Sequence, residues 1–74
     1  MAFEIRISGK TVETLESLRV AFLKARHDYR AQMDDQAEFD NAVCHGMRDT
    51  VGMRLSYRLG PDAVVEIVNV GEVQ

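Results

Sequence analysis

The segment Ser-Gly-Lys-Thr at residues 8–11 is the part of the sequence that comes nearest to a catalytic or ligand-binding motif. It follows a strand-like alternation and precedes a helix-like pattern, as the end of the phosphate-binding motif G-x-x-x-x-G-K-[ST] does. In that motif the first glycine lets the backbone wrap the phosphates, and the lysine reaches them. Here the position five residues before Gly9 is Glu4, whose carboxylate repels a phosphate. The segment therefore predicts a turn and a helix cap, with Lys10 exposed at the corner.

The thiol and the two imidazoles are the other groups that could act in catalysis or bind a metal. Cys44 and His45 are adjacent, and adjacent side chains on a helix point about 100° apart, which disfavours a thiolate–imidazole pair. Cys44 is expected to be a small buried thiol, and His27, among charged neighbours, a solvated side chain. One cysteine excludes an internal disulfide, and the three residues lack zinc-ligand spacing. We therefore expect neither enzyme activity nor a bound cofactor or metal ion.

Four carboxylates cluster where two predicted helices meet. They are Asp34, Asp35, Glu38 and Asp40. A weak calcium site is conceivable there, but the glycine and the regular spacing of a calcium-binding EF-hand loop are missing. Asp35 followed three residues later by Glu38 instead resembles a helix capping box. Because carboxylates can imitate the charge of phosphates, we expect this acidic cluster to contact a partner protein.

The N-terminal residues predict one strand and one long helix. From Ala2 to Ser8, apolar side chains alternate with polar ones, as in a half-buried strand. A helix is then predicted from about Val12 to about Gln32, with Thr11 as its N-cap. Its apolar side chains recur at spacings of three and four, at Leu15, Leu18, Phe22, Ala25, Tyr29 and Met33.

A second, shorter helix and a C-terminal hairpin are predicted next. The helix is marked by apolar residues spaced by four, Phe39, Val43 and Met47. Residues 51–59 fit two patterns. Their apolar residues are spaced as on one side of a continued helix, and they also alternate with polar residues as in a strand. Gly52, the Gly-Pro-Asp turn at residues 60–62 and the β-branched run after it favour the strand. We therefore expect a hairpin, with a β-α-α-β fold containing a long second helix as the alternative.

A turn at residues 60–62 also predicts the register of this hairpin. Leu59 then lies opposite Ala63, Tyr57 opposite Val65, and Leu55 opposite Ile67. That register makes one face fully apolar, and such a match normally sets the pairing. The other face is expected to carry Arg54, Arg58, Val64, Glu66 and Val68, with Glu66 near both arginines.

These elements predict an α+β fold of the order β-α-α-β-β, with two helices packed on one face of a three-stranded sheet. We expect residues 1–74 to form a single domain. A chain of this length buries roughly 60% of the surface that its unfolded form exposes, so its stability margin is small and a partner chain is expected to add to it. Val64, Val68 and Val70 point away from the apolar face, which predicts a dimer or partner interface. The alternative is that tail and loop residues shield these valines, or that the last strand is central and simply hydrophobic.

Composition favours a cytoplasmic protein with a binding role. The net charge is −3, from nine Lys and Arg against twelve Asp and Glu, which disfavours a protein whose main task is to grip phosphate backbones. No apolar run is long enough for a membrane span or a signal peptide. The acidic cluster and the valines predict a small acidic interaction module. It would act as an adaptor or inhibitor, as a homodimer, on a larger protein, including one that binds nucleic acid.

A dimeric nucleic-acid-binding regulator is the alternative function. A strand followed by two helices resembles the ribbon-helix-helix regulators, and this resemblance implies paired strands that enter the major groove. It also implies that the outward side chains of the first strand, Glu4, Arg6 and Ser8, face the bases. The basic residues assigned to this alternative are Arg6, Arg19, Arg26, Arg30, Arg54 and Arg58.

Overall fold

A computed structural model describes residues 1–29 and 33–72, without the side chain of Asp35. Its elements are, in chain order, β1 (Ala2–Ile7), β2 (Lys10–Leu15), α1 (Leu18–Asp28), α2 (Asp35–Cys44), β3 (Arg54–Arg58) and β4 (Val64–Gly71). The strands form an antiparallel sheet in the order β2-β1-β4-β3. Helix α1 packs on one face of it, and α2 packs against α1. The α+β class is confirmed, but the three-stranded sheet and the order β-α-α-β-β are wrong, because a fourth strand precedes α1.

The segment predicted to begin the first helix forms strand β2. Ser8 and Gly9 both have positive φ angles, of 48° and 88°, as in the two-residue turns that join antiparallel strands. The chain therefore folds back on β1. Helix α1 begins only at Leu18, and its N-cap is Ser17, whose Oγ accepts from the Val20 amide at 3.3 Å. Thr11 is thus a strand residue and not a cap.

Strand β2 is irregular at its middle. Ile5 pairs with Glu13 and Arg6 pairs with Thr11, so Val12 has no partner on β1 and forms a β-bulge. The strand is exposed or half-buried throughout. Its weak burial explains why a helical spacing of apolar residues fits the sequence as well as a strand does. The predicted helix end near Gln32 lies outside the described residues, and α1 as described ends at Asp28.

The C-terminal hairpin has the predicted register. Leu55 pairs with Ile67 and Tyr57 with Val65, while the Leu59 amide donates to the Ala63 carbonyl at 2.9 Å. The alternative with a long second helix is wrong, because α2 ends at Cys44 and the chain beyond it turns into β3.

The core lies between the sheet and α1. Strand β4 is central, between β1 and β3, which explains its run of β-branched residues. The largest fully buried side chains are Phe22, Ile5, Met47, Ile67, Val65 and Asn69. Phe22 also meets the rings of Phe39 and Tyr57 edge to face, at centroid distances of 5.6 and 6.4 Å.

A buried amide holds the connection between α2 and β3 against the sheet. Asn69 is fully buried, and its Nδ2 donates to the carbonyls of Met47 and Arg48 at 2.8 and 3.1 Å. Its Oδ1 accepts from the Gly71 amide at 2.9 Å. Met47 is predicted on the second helix, but it follows the end of α2 at Cys44. Its buried side chain reaches the core from the turn after that helix.

Candidate interaction surfaces

The acidic cluster exists, but its described members are engaged within the chain. Asp34 is the N-cap of α2, accepting from the Ala37 amide at 2.8 Å, so the prediction that Asp35 caps this helix is wrong. Asp40 accepts from Gln36 Nε2 at 2.8 Å. The Asp35 side chain lies outside the described residues. Asp34 and Asp40 keep their carboxylates at or near the surface, so the cluster keeps its charge there.

Glu38, the fourth carboxylate, ties α2 to the sheet. Its Oε2 accepts from the Tyr57 hydroxyl at 3.3 Å. Burial first, and then the nearby Glu38 carboxylate, raise the pKa of Tyr57 above its usual range. Tyr57 therefore remains a protonated donor, and Glu38 contributes to the fold as well as to the negative surface.

The sheet has one face without helices, which we call the open face. By the alternation of side chains along paired strands, its members include Glu4, Arg6, Thr11, Thr14, Arg54, Ser56, Arg58, Val64, Glu66 and Val68. Of the three valines predicted as an interface, Val64 is exposed, Val70 is half-buried and Val68 is 3% exposed. Val68 is buried because β4 is central, with Glu4 and Arg54 on its two sides. The chain itself thus covers much of the valine strip.

The basic residues predicted as nucleic-acid contacts fall into two separate groups. Arg6, Arg54 and Arg58 lie on the open face, whereas Arg19 and Arg26 lie on α1, across the sheet. Arg30 lies outside the described residues. The structure therefore does not assemble the six arginines into one surface.

Several of these arginines already have partners. Arg6 pairs with Glu4 at 2.9 Å, and Arg54 reaches Glu66 at 3.5 Å. Arg19 lies 5.0 Å from the centre of the Phe39 ring, within cation–π range. Within the part of the chain that the structure describes, Arg58 makes no ion pair, so the predicted contact of Glu66 with both arginines holds for Arg54 alone.

Glu4 is the centre of the polar network on the N-terminal half of the open face. Its Oε1 accepts from the Thr11 hydroxyl of β2 at 2.9 Å and from Arg6 Nε at 2.9 Å. The hydrogen bond from Thr11, followed by that from Arg6, lowers the pKa of Glu4. This network links the two strands of the hairpin that the sequence did not predict.

The outer side of the two helices carries apolar side chains that the sequence did not mark as a surface. Val20 and Leu23 are 41% and 42% exposed. Residues three apart share one side of a helix, and at 100° per residue this side lies opposite the buried residues Leu18, Ala21, Phe22 and Ala25. Val43 of α2, predicted within an apolar stripe, is exposed as well. The sequence does contain a sign that Val20 and Leu23 are surface residues. They lie outside the set of apolar residues, spaced by three and four, that forms the buried side of α1.

The two neighbouring helices have opposite charge. Helix α1 contains Arg19, Lys24 and Arg26 against Asp28, whereas residues 34–44 contain four acidic residues and no basic one. Lys24 is partly neutralised by Glu13 and Asp28, at 3.6 and 3.7 Å. The two neighbouring helices thus carry net charges of opposite sign.

The remaining chemical candidates lie apart. Lys10 is exposed at the start of β2, whereas α1 begins at Leu18, beyond the other end of that strand. Cys44 is exposed, so its prediction as a buried thiol is wrong; it follows Val43 on the solvent side of α2. His27 is exposed, as predicted, and its Nδ1 lies 2.9 Å from Asp28 Oδ1.

Metal-binding side chains do not cluster among the described residues. Across residues 1–29 and 33–72, no three His, Cys, Asp or Glu side chains are placed to hold a metal ion. Two surface depressions have volumes of about 240 and 210 Å³, and the charged residues that line them, Glu16, Arg48 and Arg58, are exposed. Among the described helices, none is long and apolar enough to cross a membrane.

Comparison with known proteins finds no family model, no curated protein and no solved structure that matches this chain. The resemblance to ribbon-helix-helix regulators depends on a single strand before two helices. The hairpin β1–β2 replaces that single strand, so the order of elements that carried the resemblance is not present.

Proposed function

We propose that this protein is a protein-protein interaction module that docks on a larger protein through its helical layer, defined as the solvent side of α1 and α2. The observation that carries the proposal is the exposure of Val20 and Leu23, one turn apart at the middle of the solvent side of α1. Exposed apolar side chains with a polar rim are typical of docking surfaces, because their burial supplies most of the free energy of association.

The charges around this apolar centre support recognition of a specific partner. Arg19 and Arg26 lie on α1, Asp34 caps α2, and Asp40 lies on α2. A partner with the complementary arrangement gains attraction to both helices, whereas a partner of uniform charge is repelled by one of them. The acidic cluster thus forms the α2 half of the proposed docking surface.

Protein binding has more support than nucleic-acid binding. Arg6 and Arg54 are paired with carboxylates on the open face, which lowers the charge available for phosphates. The net negative charge of α2 repels a nucleic acid that approaches the helical layer. Catalysis has less support still, because no three His, Cys, Asp or Glu side chains of the described residues are placed to act together on a metal ion.

A capture experiment tests the proposal. The protein serves as bait in a lysate of its native host, and retained proteins are quantified by mass spectrometry for the unmodified chain and for the double variant Val20→Ser/Leu23→Ser. The matched control is Val51→Ser, since Val51 is 65% exposed and lies outside the helices. We expect one partner whose retention falls at least about tenfold in the double variant and is unchanged in the control.

Two outcomes contradict the proposal. One is a partner retained equally by the double variant and the unmodified chain, with both folded by circular dichroism. The other is binding of labelled duplex DNA or RNA that is tight at low salt and falls steeply with added salt, with no protein retained. That second outcome supports the nucleic-acid alternative.

A further inference from the structure

Strand β3 is an edge strand whose outer side is unpaired. The Met53 carbonyl accepts from the Asn69 amide, and the Leu59 amide donates to the Ala63 carbonyl, each at 2.9 Å. Because bonding to a neighbour alternates along an antiparallel strand, the odd-numbered residues from 53 to 59 bond to β4. The amides and carbonyls of Arg54, Ser56 and Arg58 therefore point away from the sheet, and no backbone group among the described residues bonds to them.

The other edge of the sheet is interrupted by a bulge, whereas β3 is regular. Strand β2 is bulged at Val12 and begins with Lys10, and bulges and edge lysines are common devices against unwanted strand pairing. Strand β3 is regular over its five residues and contains no proline. The free side of β3 is therefore the place where the sheet can be extended.

The side chains of β3 indicate the chemistry of an added strand. On the open face, Arg54 and Arg58 are exposed, and the only ion pair that the described residues give them is the 3.5 Å contact of Arg54 with Glu66. On the helix-facing side, Leu55 and Tyr57 remain half-buried, which leaves apolar surface at the rim of the core for a neighbouring strand to cover.

A second copy of this chain does not fit this edge. Antiparallel pairing of two β3 strands about Ser56 sets Arg54 of each copy opposite Arg58 of the other. Parallel pairing in register sets each arginine beside its own equivalent. Like charges directly opposite each other destabilise a strand pair, so both arrangements are disfavoured at two positions.

We propose that β3 accepts an extended segment of a partner protein by strand addition. The segment carries acidic side chains four residues apart, opposite Arg54 and Arg58, and apolar side chains opposite Leu55 and Tyr57. Backbone hydrogen bonds to the free side of β3 supply the affinity, and the two cross-strand ion pairs make the site specific for acidic segments. This site is separate from the helical layer, so it stands or falls independently of docking there.

A peptide pair tests the proposal. The probe is a fluorescein-labelled peptide with the core Glu-Val-Thr-Val-Glu, and its control has lysines in place of the glutamates. The core reads the same in both directions, so it fits β3 in either orientation. We expect the glutamate peptide to bind with Kd on the order of 0.1 mM at low salt, since a short flexible segment loses chain entropy on binding. We expect no binding of the lysine peptide, and weaker binding of the glutamate peptide as salt is added.

Two variants connect this binding to the edge. Arg54→Glu/Arg58→Glu is expected to weaken the glutamate peptide at least about tenfold and to gain affinity for the lysine peptide. Ser56→Pro removes an outward amide while keeping the bonds to β4, and is expected to abolish binding of the glutamate peptide. Thr14→Val, on the opposite edge strand, is the control and should leave binding unchanged. Circular dichroism checks that each variant is folded.

Amide exchange gives a second readout that does not depend on charge. On addition of the glutamate peptide, the Ser56 amide should become protected, whereas that of Leu55, already bonded to β4, should change little. The proposal is overturned if the glutamate peptide does not bind at about 1 mM at low salt, or if the charge exchange does not move preference to the lysine peptide. It is also overturned if a single-stranded oligodeoxythymidine binds and displaces the peptide, because the arginines then serve phosphates, or if the chain self-associates through β3.

Discussion

The two hairpins of this protein differ in how much of their structure can be read from the sequence. In the C-terminal hairpin, Leu55 and Tyr57 meet Ile67 and Val65 in the register expected from the sequence. In the N-terminal hairpin, the second strand is predicted as helix, because its apolar residues Val12 and Leu15 fit the helical spacing that continues into α1.

The difference follows from burial. Both strands of the C-terminal hairpin contribute to the apolar face, so only one register buries it. Strands β2 and β3 both lie at sheet edges without a fully buried side chain, but β3 alternates exposed and half-buried residues regularly, whereas the bulge at Val12 interrupts the alternation of β2. An edge strand of this kind is held by backbone pairing and turn geometry, which leave a weaker trace in the sequence than a shared core does.

The largest expected effect sharpens this contrast in burial. Ile67→Ala removes a fully buried side chain that pairs with both Ile5 and Leu55, and should cost roughly 3 kcal/mol. Val12→Ala, at the exposed bulge, should change stability by less than roughly 0.5 kcal/mol. Urea unfolding followed by circular dichroism measures both. Since a domain of this size has a margin of only a few kcal/mol, Ile67→Val, at about 1 kcal/mol, provides a folded comparison. Equal costs at Ile67 and Val12 would remove the distinction.

The next-largest effect concerns the turns of the two hairpins, where an alanine should cost different amounts of stability. Gly9 has a φ of 88°, which side chains with a Cβ adopt at a cost, so Gly9→Ala should lose roughly 1 kcal/mol. Gly60, in the loop of the C-terminal hairpin, has an ordinary φ, and a Cβ added there would have no atom within 4 Å apart from its chain neighbours. Gly60→Ala should therefore be nearly neutral. Thermal unfolding of the two variants checks this, and a larger loss at Gly60 contradicts it.

A stabilising change tests whether the N-terminal hairpin was not predicted because its turn lacks a favoured turn sequence. Ser8 has a φ of 48°, and asparagine before glycine is favoured at such turns. Ser8→Asn should therefore raise stability by roughly 0.5 kcal/mol. The same replacement at Ser56, within β3, should lower it slightly, because asparagine is depleted in strands. Urea midpoints that move in the same direction for both variants argue against this explanation.

The smallest effect concerns the cross-strand bond of the N-terminal hairpin. The Thr11 hydroxyl, and then Arg6, hold the pKa of Glu4 below its ordinary value. A depressed carboxyl pKa adds stability above the ordinary pKa, and that stability is lost as the pH falls through the folded value. Thr11→Val should therefore return the pKa of Glu4 towards its ordinary range and flatten the acid dependence of stability.

An NMR titration of the Glu4 carboxyl between about pH 2 and pH 7 measures this change. Thr14→Val is the control, since Thr14 is paired with Glu4 in the register while the Glu4 carboxylate accepts its hydroxyl bond from Thr11. An unchanged pKa in Thr11→Val would show that Arg6 alone sets it.

Local patterns also predict side-chain roles unevenly. Exposure of His27 follows from its charged neighbours and is confirmed. Cys44 is expected to be buried because it follows an apolar residue, but α2 turns both Val43 and Cys44 to solvent. The acidic cluster is visible in the sequence, whereas the bond from Tyr57 to Glu38 is not, because it joins residues that are distant in the chain.

The sequence by itself determined the α+β class, the first strand and the C-terminal hairpin, since period-two alternation and a strong turn signal specify these locally. Tertiary structure alone decided that residues 10–15 form a strand, that β4 is central with Val68 buried, and that β3 keeps a free edge. The physical reason is that, proline apart, intrinsic preferences for helix or strand differ by at most about 1 kcal/mol per residue. Pairing with β1 outweighs such differences, and it depends on residues that a local pattern does not include.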